Sequence, residues 1–401
     1  MNLLFHRYLF RFMIISKAER LVEVKEYYFS RKLKELKQRI SQGEDIINLG
    51  IGSPDLPPSP ETINALTNTA SKNDIHGYQS YIGIDGLREN ISQWYKRIYN
   101  VDLNPTNEIL PLMGSKEGIM HISMAFLNSG DKVLVPNPGY LTYASVGKLL
   151  SAQIEYYDLK ESNNWLPDFD ALEKMDHSNT KIMWVNYPHM PTGKKADLNL
   201  FKSLIKFAKK NKILIINDNP YSLILNDLPL SILQVEGAKE VALELNSLSK
   251  SHNMAGWRVG MLSGDAEYIQ NVLKVKSNMD SGMFRGIQEA AIAALNNTKE
   301  WQKSQNDIYK KRRKVCEEIM RELDCNFDPS QSGMFLWAKI PSWAENSEKF
   351  SNYILDNSGV FITPGFIFGS NGDRFIRISL CSSETILEDA LQKVRFLFAI
   401  A

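Results

Sequence analysis

The chain has 401 residues, 43% of them hydrophobic, and its 47 basic and 46 acidic side chains leave a net charge of +1. This balance provides no basic surplus for a nucleic-acid partner, and no stretch reaches the roughly 18 uninterrupted apolar residues that mark a membrane span. The three cysteines, Cys316, Cys325 and Cys381, and the six histidines show no metal-ligand spacing. We therefore expect free thiols in a reducing cytoplasm, and no metal site.

The N-terminal part predicts an arm and not a domain. Residues 1–12 are basic and amphipathic but lack the apolar core and cleavage site of a signal peptide, so we interpret them as a non-native or disordered extension before Met13. Residues 17–43 carry apolar side chains at helical spacing and predict a surface helix. We expect residues 13–60 to form a helix and arm that join the small domain.

The middle of the chain alternates short apolar runs with amphipathic helical stretches. Alternation of this kind predicts a mostly parallel sheet covered on both faces, within a large domain over residues 61–297. The apolar runs are Lys132–Val135, Lys181–Asn186, Ile213–Asn217, Val241–Leu245 and Val259–Leu262, and the helical stretches include Leu198–Asn211 and Ala266–Ser277.

The C-terminal part predicts a second, smaller α+β domain over residues 298–401. Residues 299–324 form a long charged amphipathic run that opens it as a helix. The segments MFLWAKIP and FIRISLC predict strands, and a final helix is expected from about Ser383.

The segment SLSKSHNMAGWRVG, from Ser247 to Gly260, gives the strongest chemical signal. Lys250 follows an apolar strand and stands among small and hydroxyl residues, with Arg258 further on. A desolvated lysine near positive charge has a lowered pKa and becomes a nucleophile, while Arg258, Ser247 and Ser249 suit a phosphate. A solvated lysine in a surface loop is the alternative.

This segment resembles the lysine motif of the class I/II aminotransferases, which are fold-type I enzymes that use pyridoxal 5′-phosphate. The resemblance implies that Lys250 joins the cofactor as a Schiff base and later moves the substrate proton. In the segment IINDNPY, Asp218 stands 32 residues before Lys250, at the end of an apolar strand, and Tyr221 follows. By resemblance, Asp218 faces the pyridine nitrogen and Tyr221 donates to the phenolic oxygen of the ring. A strand-end turn or helix cap is the alternative for Asp218.

The segment NYPHMPTG, from Asn186 to Gly193, resembles another family loop but departs from it at one position. Asn186 matches a cofactor-binding residue, whereas Met190 stands where the family has a second asparagine that donates to the ring oxygen. A thioether cannot donate that bond. Either His189 or Asn186 compensates, or the oxygen depends on Tyr221 alone, which would raise the pKa of the lysine–cofactor linkage.

Two further segments match the cofactor site of the family. In LMGSKEGI, the residues Gly114, Ser115 and Lys116 resemble a glycine-rich turn that opens a helix, where free backbone N–H groups bind phosphate. In PNPGYLTY, Tyr140 matches the aromatic residue that stacks on the cofactor ring. Ordinary turns and a core aromatic are the alternatives for these positions.

The remaining matches concern the substrate and a second subunit. Gly52 in GIGSPD and Arg377 in FIRISL match the residues beside the substrate carboxylate, which an arginine fork grips with two parallel bonds. Tyr81 in YIGIDGLR matches a tyrosine that reaches the phosphate of the neighbouring subunit, which implies a homodimer with shared active sites. A turn glycine, a salt-bridged strand arginine and a packed tyrosine are the alternatives.

The resemblance covers nearly everything from about residue 45 to the C-terminus. It implies an α/β fold of the pyridoxal phosphate-dependent transferase fold type I, with a large, mostly parallel domain and a smaller α+β domain. The implied function is a cytoplasmic aminotransferase of amino-acid metabolism that moves an amino group between an L-amino acid and a 2-oxo acid, with glutamate and 2-oxoglutarate as one pair.

Three alternatives to that function are a C–S lyase, an aminocyclopropane-carboxylate synthase-like enzyme, and a non-catalytic cofactor-binding regulator. Only about 45 residues precede the match, too few for the DNA-binding module of such regulators. Residues 278–291 are most similar to the diaminopimelate and alanine-type branch of the family, within a broader aspartate, alanine and LL-diaminopimelate aminotransferase-like group. Arg285 in this segment either meets a substrate carboxylate of the partner subunit or is a surface or phosphate-side arginine.

Overall fold

The described part of the N-terminal arm contains less helix than the sequence predicts. The computed structural model describes residues 15–22, 24 and 28–399, so the extension expected over residues 1–12 lies outside them. Helix α1 covers Tyr28–Ser41, and among the described residues before it only Glu19–Leu21 form a short 3-10 turn, in place of one helix over residues 17–43. The turn buries no residue, whereas α1 buries Leu36 against Leu355 and Phe361, so helix forms where an apolar face is covered.

A seven-stranded sheet forms the centre of the chain, in the order β2-β8-β7-β6-β5-β3-β4. All neighbours pair in parallel except β8, which runs antiparallel to both β2 and β7. The predicted mostly parallel sheet is thus confirmed, and the inner strands β6, β7 and β8 are buried along their whole length. The strands of this sheet are β2 Ile109–Leu112, β3 Lys132–Asn137, β4 Gln153–Asp158, β5 Thr180–Val185, β6 Leu214–Asp218, β7 Ala242–Ser247 and β8 Gly260–Gly264.

Helices connect these strands and cover the sheet. Helix α7 shows why these segments form helices. The Asp197 carboxylate caps its first turn by accepting from the Leu200 amide, and its buried residues recur at helical spacing. Among the described residues none of the helices is long and apolar enough to cross a bilayer. The helices of this part are α2 Pro60–Ala70, α3 Asp85–Tyr99, α4 Ser115–Phe126, α5 Leu141–Leu149, α6 Phe169–Leu172, α7 Leu198–Asn211, α8 Leu248–Ser251, α9 Ala266–Lys276 and α10 Arg285–Leu295.

The C-terminal part has its own sheet and its own hydrophobic core. The antiparallel strands lie in the order β11-β12-β9, and β1 Ile47–Asn48 pairs in parallel with β10, so the arm contributes a strand here. The boundary between domains at residues 297 and 298 stays a prediction. The elements are α11 Lys299–Glu322, β9 Phe335–Lys339, α12 Ser347–Ser358, β10 Val360–Phe361, β11 Thr363–Pro364, β12 Phe375–Ser379 and α13 Glu384–Ala399.

Several strands of the large sheet end or begin at one edge, where candidate site residues lie. The parallel strands β6 and β7 end there, at Asp218 and Ser247, and the antiparallel strand β8 begins there, because Gly260 pairs with Ser247. Strand β2 also ends there, since Leu112 pairs with Gly260. In open α/β sheets, ligands bind in the crevice outside the carboxyl ends of the strands, so this edge is where a site is expected.

Candidate active site

A cavity of about 550 Å³ opens at this edge. Both the large sheet and the C-terminal part contribute to its walls. Most residues that the sequence nominated line it: Gly52, Ser115, Lys116, Tyr140, Asn186, Asp218, Tyr221, Ser247, Ser249, Lys250, Arg258 and Arg377.

Lys250 lies in the short helix α8, directly after β7. The Ser247 hydroxyl holds this turn, since it accepts from the Ser249 amide at 3.1 Å and donates to the Val259 carbonyl at 3.2 Å. The Lys250 Nζ donates to the Gly52 carbonyl at 2.5 Å. Burial lowers the pKa of Lys250 below its ordinary value, and the nearby guanidinium charges lower it further. A neutral amine in a cavity is the form that attacks a carbonyl carbon.

Asp218 ends β6, and its two carboxylate oxygens differ in their hydrogen bonding. Its Oδ2 accepts from the Tyr143 hydroxyl at 2.8 Å, whereas its Oδ1 is buried without a hydrogen-bond partner among the described residues. Burial raises the pKa of this carboxyl to about 6. A buried acceptor without a hydrogen bond is costly, so the site suits a donor that the described part of the chain does not supply.

Tyr143 is a site residue that sequence reasoning missed. It stacks on Trp184 with ring centroids 4.8 Å apart and meets Tyr140 edge to face at 5.5 Å. The sequence could have indicated it, because Tyr143 stands three residues after Tyr140 and residues at that spacing share one side of a helix. Tyr221, in turn, lines the cavity and packs edge to face on Phe335 at 5.9 Å, and burial raises its pKa above the ordinary value.

A helix N-terminus and an arginine meet at one end of the cavity. Gly114 precedes α4 at φ +89°, and a Cβ on it would overlap the Arg258 guanidinium. Arg258 donates to the Ser249 hydroxyl at 3.4 Å and to the Ala255 carbonyl at 3.0 Å, and no carboxylate of the described chain pairs with it. Unpaired helix N–H groups next to a guanidinium form a site for an anion such as phosphate.

Arg377, on β12, occupies the opposite wall and is buried. Its guanidinium lies 3.9 Å from the ring centroid of Phe335 and 4.6 Å from that of Phe368. It donates to the Gly50 carbonyl at 3.1 Å, while its Nε has no partner in the described part of the chain. Burial lowers its pKa to about 10, which still leaves it charged at neutral pH. A buried cation with an unpaired N–H is suited to a carboxylate ligand.

Gly52 lies against the Phe335 ring, over which the Arg377 guanidinium is stacked. A Cβ on Gly52 would overlap the Phe335 ring, so only glycine lets the backbone pass here.

The two residues that could replace the missing donor at Met190 each make other hydrogen bonds. The Asn186 side chain donates to the Asp218 carbonyl and accepts from the Met190 amide at 2.8 Å. His189 bonds Thr192 at 2.8 Å and is not among the residues that line the cavity. Met190 itself lines it, and its Sδ accepts from Arg377 Nη1 at 3.3 Å. This contact, which the sequence did not suggest, connects the unusual residue to the arginine.

Gly114 adjoins the cavity through Arg258 without lining it, and the two residues nominated for a partner subunit lie outside the cavity of their own chain. Tyr81 is 43% exposed, and Arg285 forms a half-exposed pair with Glu289 at 3.3 Å. Their roles toward a partner subunit stay predictions.

A cluster of potential metal ligands lies elsewhere in the large domain. Glu117, His121 and Asp280 bring ligand atoms within 4.8 Å of one another. The Lys276 ammonium already pairs with Asp280 and lies 3.9 Å from Glu117. The Lys276 ammonium therefore already supplies a cation to this cluster, and we assign no metal to it.

The donor set of the cavity fits pyridoxal phosphate. Lys250 supplies the amine, the orphaned Asp218 Oδ1 suits the N–H of a pyridinium ring, and the end formed by Ser115 and Arg258 suits the phosphate. Fold and donor set together define a fold-type I pyridoxal phosphate enzyme.

Comparison with known proteins gives the family. The model of the family "Aminotransferase class I and II" matches residues 44–394, and the chain belongs to this family. It is a pyridoxal phosphate-dependent aminotransferase of amino-acid metabolism.

Relatives of the chain include LL-diaminopimelate aminotransferases. That of Dehalococcoides mccartyi is 38% identical over 379 residues, covering 94% of this chain and 97% of the relative. That of Aquifex aeolicus is also 38% identical, over 381 residues, covering 94% and 98%.

Solved structures similar to this chain include substrate-bound BacF from Bacillus subtilis. It matches with a TM-score of 0.91 and 36% identity, covering 96% of this chain and 98% of that one. An aromatic aminotransferase from Pyrococcus horikoshii has a TM-score of 0.84 and 26% identity, covering 91% and 99%.

Proposed function

We propose that Lys250, Asp218 and Arg377 carry out amino-group transfer in this cavity. Lys250 captures the cofactor and moves the substrate proton, Asp218 holds the cation on the ring nitrogen, and Arg377 binds the α-carboxylate of the substrate. The observation that carries the proposal is that one cavity joins three groups: an amine of lowered pKa, and a buried carboxylate oxygen and a buried guanidinium N–H that both lack a hydrogen-bond partner among the described residues.

Pyridoxal phosphate, when bound, supplies an aldehyde that captures amines and a ring that accepts electrons from the substrate Cα. Lys250 is favoured as a neutral amine by burial, so it can attack a carbonyl and, once free, take the Cα proton as a general base. Arg377 fixes the α-carboxylate, which orients the Cα–H bond toward Lys250.

The remaining cavity residues hold the cofactor under this proposal. Ser115 at the start of α4, with Gly114 and Lys116, binds the phosphate together with Arg258 and Ser249.

Around the ring, Tyr140 stacks on the cofactor and Tyr221 donates to the phenolic oxygen. Asn186 positions Asp218 through its bond to the carbonyl of that residue, and Ser247 shapes the turn that carries Lys250.

The active form is proposed to be a cytoplasmic homodimer, in which Tyr81 of each chain completes the phosphate site of the other. Its half-exposed position outside its own cavity leaves it accessible to a partner.

Glutamate and 2-oxoglutarate are proposed as one substrate pair. The name of the relatives from Dehalococcoides and Aquifex favours LL-diaminopimelate as a second candidate amino donor.

A half-reaction screen tests the proposal. The purified holoenzyme is mixed with single amino acids, and the loss of visible absorption of the aldehyde form is followed together with release of the 2-oxo acid. We expect glutamate to bleach the absorption with one oxo acid released per site, and the variant Lys250→Ala to abolish this change. Lys206→Ala, on the exposed side of α7, is the matched control. Absence of any spectral change with every amino acid would refute the proposed function.

A further inference from the structure

Four largely buried polar side chains lie on and beside α4, and none of them lines the cavity. They are Glu117 and His121 on α4, Lys276 at the end of α9, and Asp280 after it, with side chains between 2% and 15% exposed. We propose that this group, which we call the Glu117 network, holds the phosphate-binding turn at Gly114 in a fixed position relative to the segment that carries Tyr81. The inference rests on the proposed roles of these two segments toward the cofactor phosphate.

Glu117 holds the turn from the first turn of α4. Its Oε2 accepts a hydrogen bond from the Met113 amide, directly before Gly114. The Glu117 amide in turn donates to the Gly114 carbonyl at 3.2 Å. A glutamate at the third helical position can reach back to a backbone N–H at the helix start, where its charge is favourable beside the positive end of the helix. Glu117 therefore ties the two sides of the turn around Gly114 to each other.

The other carboxylate oxygen of Glu117 connects the turn to α9. Its Oε1 lies 2.9 Å from Nε2 of His121 and 3.9 Å from Nζ of Lys276. The Lys276 Nζ also donates to Oδ2 of Asp280, so one ammonium lies between two carboxylates. Loss of one partner from a buried ion pair leaves a charge uncompensated, so the positions of these three side chains depend on one another.

Asp280 extends the network to the residues before Tyr81. Its Oδ1 accepts from the Gly282 amide at 2.8 Å. Gly282 has a φ of +84°, and a Cβ on it would lie 2.6 Å from the carbonyl oxygen of Gln79 and 2.7 Å from that of Ser80. Because this close contact is between backbones, the position of Gly282 limits the position of the two residues directly before Tyr81.

The two segments that the network joins have different proposed destinations. The turn at Gly114 serves the phosphate of its own chain, whereas Tyr81 serves the phosphate of the partner. A displacement of either carboxylate displaces the Lys276 ammonium between them, because separating buried charges is costly. The members of the Glu117 network are therefore positioning residues for the phosphate end of both sites.

The test compares binding of pyridoxal phosphate with binding of pyridoxal, which lacks the phosphate, to the full-length protein freed of cofactor. Fluorescence titration measures both affinities. In Glu117→Gln and in Asp280→Asn, the affinity for pyridoxal phosphate should fall about tenfold and that for pyridoxal by less than about twofold, because only contacts to the phosphate are displaced. A general loss of structure would weaken both ligands equally.

Glu317→Gln is the matched control. The Glu317 carboxylate pairs at 2.9 Å with Arg313, four residues earlier on α11, and its side chain is 17% exposed, close to the 15% of Glu117. We expect this variant to lose a comparable amount of stability in thermal unfolding and to keep the wild-type ratio of the two affinities.

A second comparison tests the connection to Tyr81. In a Tyr81→Phe background, Asp280→Asn should lower the affinity for pyridoxal phosphate by less than about threefold, because the contact that Asp280 positions is already lost. Glu117→Gln should keep most of its effect in that background, since it also holds the turn of its own chain.

Three results would overturn the inference: an unchanged or higher affinity of Glu117→Gln for pyridoxal phosphate, equal losses for the two ligands, or full additivity of Asp280→Asn and Tyr81→Phe. A higher affinity would mean that Glu117 acts through its negative charge alone. If the wild type binds pyridoxal as tightly as pyridoxal phosphate, the proposed phosphate site fails together with the network. If the wild type discriminates and the variants keep its ratio, only the network fails.

Discussion

Tyr143 donates a hydrogen bond of 2.8 Å to Oδ2 of Asp218 and leaves Oδ1 of the same carboxylate buried and without a partner in the described chain. The hydroxyl therefore fixes the direction in which the remaining oxygen acts. A hydrogen bond to a charged group contributes about 1.5–3 kcal/mol, so Tyr143→Phe should weaken pyridoxal phosphate binding by about 10- to 100-fold. Fluorescence titration of the cofactor-free protein measures this.

Tyr157→Phe is the matched control for that variant. Tyr157 is also buried, and its hydroxyl donates to the Trp184 carbonyl at 2.8 Å, but it does not line the cavity. We expect this variant to lose stability without losing cofactor affinity. Equal affinities of the two variants would show that the bond to Asp218 does not orient the carboxylate.

Asp218 should make the cofactor-free protein less stable at neutral and alkaline pH. Its folded pKa of about 6 lies above the value of about 3.9 expected in an unfolded chain. The contribution of this group to stability is thus present below about pH 4 and is lost as pH rises through 6, by about 3 kcal/mol in all. Asp218→Asn cannot ionise, so its stability advantage over the wild type should grow by about 1–2 kcal/mol between pH 5 and pH 8.

Urea unfolding of the cofactor-free proteins at both pH values measures this difference. Asp227→Asn, at an exposed position, should show no comparable growth. A constant difference between Asp218→Asn and the wild type at pH 5 and pH 8 would contradict the raised pKa.

Gly114 has a positive φ and also lies close to Arg258, and a comparison with Gly130 separates backbone strain from the loss of this contact. Both Gly114 and Gly130 have positive φ, +89° and +86°, but a Cβ would overlap Arg258 only at Gly114, whereas nothing lies within 4 Å at Gly130. Either glycine-to-alanine variant should lose about 1 kcal/mol of stability through backbone strain. Only Gly114→Ala should also displace Arg258 and weaken cofactor binding, by about tenfold or more.

Titration with pyridoxal phosphate, beside thermal unfolding, distinguishes the two effects in these variants. If Gly130→Ala loses cofactor affinity as strongly as Gly114→Ala, backbone strain and not the contact with Arg258 explains the effect.

Short motifs and the family resemblance that they carry were enough to nominate Lys250, Asp218 and Arg377, since each motif stands at the end of a strand or within one. The alternation of apolar runs was likewise enough for a mostly parallel sheet. It did not reveal that β8 runs antiparallel to its neighbours, since the periodicity of a buried strand carries no information on its direction.

Contacts across the fold could not be predicted in the same way. The bond from Arg377 to Met190 joins residues 187 positions apart, and Phe29 reaches the cavity only because the arm packs on the C-terminal part. Such contacts depend on how finished elements pack and not on any local pattern. The roles of the site residues therefore stay predictions that the variants above test.

Met190 should raise the pH at which the lysine–cofactor linkage loses its proton. Its Sδ accepts from Arg377 and cannot donate to the ring oxygen, so Tyr221 is the proposed donor there by itself. Fewer donors to that oxygen favour the protonated form of the lysine–cofactor linkage, so the midpoint of the pH-dependent visible absorption should lie near or above neutrality. Met190→Asn adds a donor of about 1 kcal/mol and should lower the midpoint by about one pH unit.

Absorption spectra of the holoenzyme between pH 5 and pH 10 measure this midpoint. Met279→Asn, at a 58% exposed position outside the cavity, should keep the wild-type value. A wild-type midpoint well below neutrality would mean that another group already donates to the ring oxygen. Because Arg377, the proposed carboxylate-binding residue, contacts the same methionine, Met190→Asn should also change KM for the amino acid, a coupling that Tyr221→Phe, without a hydrogen bond to Arg377, should not show.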